Sequence, residues 1–100
     1  MITVKADLEG DEMSFSMHGH ANYNPGNDIV CAGCSAICYA LLGMLANLQD
    51  HIESLDTIEE SGNVEVLCVG DEMTKMAFTM AVVGILQIEK KYPNYVRVIE

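Results

Sequence analysis

Residues 29–46 run for eighteen positions without a charged side chain, and no other stretch constrains the fold as strongly. Asp28 and Asp50 are the charges that bound it. Its length sits at the lower edge of what a membrane span needs. Three cysteines, a serine and two glycines interrupt it, however, and no Lys or Arg flanks it as an interfacial anchor. The run therefore reads as the central helix of a soluble domain rather than as a membrane segment, apolar enough to be covered on more than one side. Asp28 is a good N-cap for it, and the helix is expected to continue to about Asp50 or Glu53.

Around that helix the chain supplies strands. Ile2, Val4, Ala6 and Leu8 alternate with Thr3, Lys5 and Asp7, a period of two that marks a half-buried strand. After the turn at residues 9–12, Met13, Phe15 and Met17 alternate with Ser14, Ser16 and His18, which makes the opening a hairpin. Asn24-Pro25-Gly26-Asn27 carries Pro and Gly at the positions of a type II turn, so residues 22–27 form a loop. Residues 55–60 and 64–69 flank Ser61-Gly62-Asn63 as a second hairpin. Asp71 and Glu72 open a second helix, and Lys90, Lys91 and Pro93 close it. Its Met73, Met76, Met80 and Val83 form a stripe that reads as core filler, and residues 95–99 form a last strand. The order is ββ-α-ββ-α-β. Two helices on one face of a mainly antiparallel sheet would bury both apolar stripes, giving a two-layer α+β domain over residues 1–100.

Half of the residues are hydrophobic and 20% are charged, too apolar a mixture for disorder. Fifteen acidic side chains face five basic ones, for a formal net charge of -10. Such a surface repels nucleic-acid phosphates and anionic headgroups and favours a basic protein partner. The first ten residues have neither a basic region nor an apolar core, so they do not read as an export signal, and the four cysteines read as reduced thiols in a cytoplasm.

Cys31 lies three positions past the expected cap, where unpaired backbone N–H groups and the helix dipole favour a thiolate and can stabilise an oxyanion. His20 precedes it by eleven positions, at the end of the second strand; an imidazole within reach would make Cys31 a nucleophile. Strict alternation sends His18 and His20 to the face opposite Met13, Phe15 and Met17. The pair therefore demands a bend at Gly19. Cys34 and Cys38 continue with Leu41, Leu45 and Leu48 as one core stripe. Two competing readings remain open at this point: a Cys31/Cys34 redox pair, and zinc held by His18, His20, Cys31 and Cys34. Ser35 shares a helix face with Cys31 and is a substrate contact or a packing residue. Asp28 is first a cap and second a carboxylate that steers His20. Tyr23 and Gly26 lie in the loop where substrate would pass, and His51 reads as a surface residue complementing a helix C-terminus. A non-enzymatic dimeric module that binds a basic protein is the rival to an enzyme.

Gly19-His20-Ala21, followed by Asp28-Ile29-Val30-Cys31-Ala32-Gly33 and Ser35-Ala36, resembles the bacterial ribosomal-processing cysteine protease family over the whole chain. The resemblance implies small cytoplasmic homodimers that remove the N-terminal extension of large-subunit ribosomal protein twenty-seven. It also implies His20 as general base, Cys31 as nucleophile, Ser35 at the substrate site and Gly19 and Asp28 as flanking positions. The loop between His20 and Cys31 is implied to be mobile, and neither a metal nor another cofactor is called for. The loop here is one residue shorter than the family pattern, and Cys34 stands where a small aliphatic residue is usual. Phage relatives of the family make processing of a phage structural protein a further alternative.

Overall fold

The structure, a computed structural model, describes residues 1–99. Strands β1 (Ile2–Asp7) and β2 (Glu12–His18) form the first hairpin, and helix α1 spans Ile29–Asn47. Strands β3 (Ile52–Glu60) and β4 (Asn63–Gly70) form the second hairpin, followed by helix α2 (Glu72–Lys91) and strand β5 (Val96–Ile99). The five strands lie in the order β3-β4-β2-β1-β5. All pairings are antiparallel except that of β5 with β1, which is parallel and carries the chain back along the sheet after α2. The α+β class and element order read from the sequence are those observed.

The alternation of β1 and β2 settles which face is covered. Ile2, Val4, Met13, Phe15 and Met17 point into the core together with Val66 and Cys68 of β4. From α1 come Val30, Cys34, Cys38, Leu41 and Leu45, and from α2 Phe78, Ala81, Val82 and Ile85. Full burial of each such aliphatic or aromatic side chain stabilises the fold by about 1.5–3 kcal/mol relative to exposure. Two glycines let the helices approach each other. A Cβ on Gly84 would stand 3.0 Å from Ile37 Cδ1, and one on Gly33 would stand 3.4 Å from Ile88 Cδ1.

Three expectations are corrected. Helix α1 stops at Asn47, short of Asp50, because the Asn47 side chain bonds the Gly43 carbonyl at 2.8 Å and the chain tightens into a 3-10 turn at Gln49–His51 that delivers it to the sheet. Nor is α1 covered on more than one side: Ile29, Tyr39 and Met44 are exposed. The stripe of Met73, Met76, Met80 and Val83 on α2 is also exposed, not core. The sheet has two broad faces but only one is covered, so each helix buries one stripe and leaves its other apolar residues outside. His51 does sit in the last turn of that 3-10 segment, and it has a further partner. Its Nδ1 pairs with Asp71 Oδ2 at 2.7 Å, at the start of α2.

Candidate active site

Helix α1 begins where the sequence places it. Asp28 Oδ1 accepts the N–H groups of Val30 and Cys31, each at 3.0 Å, and its other oxygen accepts the Tyr23 N–H at 2.9 Å. These bonds, that from Cys31 foremost, hold the Asp28 carboxyl below the ordinary carboxylate range. The cap therefore does more than start the helix, since it ties the preceding loop to the first helical turn. It also occupies two of the amides expected to face an oxyanion. The Asp28 carboxylate is directed at backbone donors and makes no hydrogen bond to His20 among the described residues.

Cys31 is half-buried in that first turn. Its Sγ accepts a hydrogen bond from the Ala21 N–H at 3.2 Å. Cys34, one turn on, is buried; desolvation is the main cause that pushes its thiol up to about 12. Burial likewise pushes Cys38 up to about 11, and its thiol bonds the Met17 sulfur at 3.6 Å. Both stay protonated and inert near neutral pH, as a core reading requires. No group of three or more His, Cys, Asp or Glu side chains placed to hold an ion occurs among the described residues. The set His18, His20, Cys31 and Cys34 is not gathered.

Strand β2 does bend at Gly19. The residue has φ +94, and a Cβ there would run into the Met1 carbonyl oxygen, so glycine is required twice over. The Gly19 N–H donates to the Gly62 carbonyl at 2.9 Å, and the Met1 amino group donates to the His20 carbonyl at 2.7 Å. This bend brings His20 round to the helix side of the sheet. His20, Cys31 and Ser35 then line one cleft of about 460 Å3, together with Gly19, Tyr39 and the tip of the β3–β4 hairpin. Among the described residues no hydrogen bond joins His20 to Cys31.

The loop residues fall elsewhere. Tyr23 packs edge-on against Tyr92 and Tyr95, with ring centroids 5.4 and 5.1 Å away. Gly26, with φ +90, forms the turn closed by the Asn27 N–H on the Asn24 carbonyl at 2.9 Å. Neither lines the cleft. Sequence reasoning missed the opposite wall, made by Glu59, Glu60, Ser61, Gly62 and Asn63. Asn63 holds a side-chain oxygen that is buried with no hydrogen-bond partner among the described residues. The only signal in the sequence was the Ser61-Gly62-Asn63 turn itself, which says nothing about what it faces.

A helix N-terminus presenting a half-buried thiol to a cleft shared with an imidazole is the arrangement of a cysteine peptidase. Residues 1–97 match the family described as cysteine protease Prp, so the chain belongs to that family and is a cysteine protease. It is 30% identical, over 97% of its length and 96% of the relative's, to a ribosomal processing cysteine protease Prp of Staphylococcus aureus. Its fold is similar, at a TM-score of 0.86 and 27% identity, to a crystal structure of the S. aureus ribosomal processing protease Prp carrying a covalently linked product peptide. That match covers 98% of this chain and 97% of the other. A Streptococcus mutans crystal structure, SMU.848, matches at a TM-score of 0.75 and 26% identity, over 98% of this chain and 91% of that one.

Proposed function

We propose that this chain is a ribosomal-processing endopeptidase that uses Cys31 as nucleophile and His20 as general base. Its substrate is a basic ribosomal protein precursor, large-subunit protein twenty-seven, from which it removes an N-terminal extension. The observation that carries the reading is the single cleft lined by Cys31, His20 and Ser35, at the start of a helix in a fold shared with a protease that holds a covalently linked product peptide.

The chemistry follows from the groups present. His20 takes the proton from Cys31 Sγ, and the thiolate attacks the scissile carbonyl carbon. Negative charge develops on the carbonyl oxygen beside the Ala21 N–H, the amide that faces the sulfur. The tetrahedral species collapses as the C–N bond breaks and His20 returns its proton to the leaving amine. Water then attacks the thioester, with His20 accepting a proton, and collapse releases the carboxylate and restores the thiol. The imidazole and thiol close to hydrogen-bonding distance when a peptide fills the cleft, as catalytic contacts in peptide-free enzymes commonly do. Ser35 and Asn63 offer polar atoms to the peptide from opposite walls. The charge of -10 draws a basic precursor toward the cleft.

Mass spectrometry of the precursor incubated with the wild type, Cys31→Ala and His20→Ala tests the assignment. Cleavage is expected from the wild type alone, and cleavage that persists in both variants would remove the dyad.

The enzyme acts in the cytoplasm as a homodimer. Support for the dimer comes from the groove between α1 and α2, about 690 Å3, lined by Met44, Met73, Met76 and Met80, with Glu72 as the charged residue among the described ones that line it. An exposed apolar face of this kind marks an interface. Sedimentation equilibrium is expected to give twice the chain mass for the wild type and one chain mass for Met76→Lys with Met80→Lys.

A further inference from the structure

We infer that Gly62 is a positioning residue for the catalytic base, the seat that keeps the His20 imidazole in the cleft it shares with Cys31; this rests on the reading of His20 as that base. The register of the sheet brings the two together. β2 pairs with β4 so that His18 stands opposite Asn63. Beyond the strand ends, the Gly19 N–H therefore meets the Gly62 carbonyl at 2.9 Å. The next residue, His20, is laid across the hairpin turn. A Cβ built on Gly62 would stand 2.8 Å from His20 Nε2, 3.3 Å from Cε1 and 3.4 Å from Cδ2. Three ring atoms thus rest on the bare Cα of Gly62. Its carbonyl fixes the backbone one residue before the ring, so the turn sets both the position of His20 and the plane of its side chain.

Any side chain at position 62 must displace the ring. The displaced atoms are the far end of a side chain that can rotate, so the displacement costs little stability while removing the base from its place. A misplacement of about 1 Å lowers turnover by roughly 100-fold in well-oriented sites. Position 62 also has φ +72, which strains any L residue by itself, and Gly10 provides the matched control. Gly10 has φ +66 in the β1–β2 turn, and nothing lies within 4 Å of a Cβ built there. Alanine at Gly10 therefore carries the backbone strain alone, whereas alanine at Gly62 carries the same strain and moves His20.

The experiment compares Gly62→Ala, Gly10→Ala and His20→Ala in the full chain. It measures peptide-cleavage kinetics, the pH dependence of Cys31 alkylation, and Tm. Gly62→Ala and Gly10→Ala are expected to lose similar thermal stability, about 5 °C each. Gly10→Ala keeps wild-type kcat. Gly62→Ala loses kcat by roughly 100-fold with KM little changed, and its alkylation profile moves to that of His20→Ala. Equal kcat in the two glycine variants, with His20→Ala inactive, would overturn the role of Gly62 and leave the dyad standing. An active His20→Ala would overturn the dyad, and the role of Gly62 with it.

Discussion

The two helices of this protein start in the same way and do different things. Asp28 caps α1 through the N–H groups of Val30 and Cys31, and Asp71 caps α2 through those of Met73 and Thr74. Each start has a histidine in its neighbourhood. At α2 the carboxylate and imidazole join directly, His51 Nδ1 to Asp71 Oδ2 at 2.7 Å, and Thr74 adds a hydroxyl bond to the His51 carbonyl. The result is a latch between the 3-10 turn and the helix. At α1 the second carboxylate oxygen takes the Tyr23 N–H instead, so His20 is left to the cleft. A helix N-terminus with an acid and a histidine is thus not itself a site. It becomes one where the first turn carries a thiol, the acid is committed to backbone donors, and the imidazole faces an open cleft.

The largest effect that separates the two starts is catalytic. His20→Ala is expected to lower peptide turnover by about 100- to 10,000-fold, the usual contribution of a general base. His51→Ala, at the other helix, leaves turnover within about twofold, since surface changes away from the chemistry are small. Steady-state cleavage assays decide this, and a large loss in His51→Ala would break the comparison.

The caps give the next effect. Asp28→Ala and Asp71→Ala each remove an N-cap and are expected to lower Tm by roughly 5 °C. Only Asp28→Ala also weakens cleavage, by about tenfold, because Asp28 ties the Tyr23 loop to the amide of Cys31. Calorimetry and kinetics on both variants test whether the caps are equivalent in stability and unequal in function.

The smallest effect is the pH dependence of stability. Hydrogen bonding from His51 is the main cause that lowers Asp71, and backbone bonds led by that of Cys31 lower Asp28. As pH falls, the unfolded carboxyls bind protons before the folded ones do. The stabilisation is therefore complete at neutral pH and is lost as pH drops through about 4 and below. Asp71→Asn should flatten this acid limb of Tm against pH. The thiols behave oppositely. With Cys34 held up to about 12 and Cys38 up to about 11, the unfolded chain loses those protons first, so stability falls as pH rises from the ordinary thiol range. In native protein at neutral pH an alkylating reagent is expected to label Cys31 and spare Cys34, Cys38 and the buried Cys68.

Much of the local structure was legible in the residues. The period of two in residues 2–8 and 13–17, the Asn24-Pro25-Gly26-Asn27 turn and the Asp28 cap are set by interactions within a few positions, and each forms as read. The demand for a bend at Gly19 was legible for the same reason: alternation is a local rule, and only a break in it can turn His20 toward α1. The methionine stripe of α2 was misread because spacing reveals that a helix has an apolar stripe but not which stripe the sheet covers. Phe78, Ala81, Val82 and Ile85 compete with Met73, Met76 and Met80 on the same helix, and packing chose the former.

The sequence by itself determined that Cys31 opens a capped helix and that His20 follows the end of a strand, next to a glycine able to turn it. The tertiary structure decided everything that depends on strand order. Placing β4 beside β2 sets Gly62 under the His20 ring, and covering one face of a two-faced sheet leaves the methionines outside. These outcomes join residues forty or more positions apart, where no local spacing rule reaches. They follow from pairing register and from which apolar surface finds a partner, and both are properties of the assembled sheet rather than of any one segment.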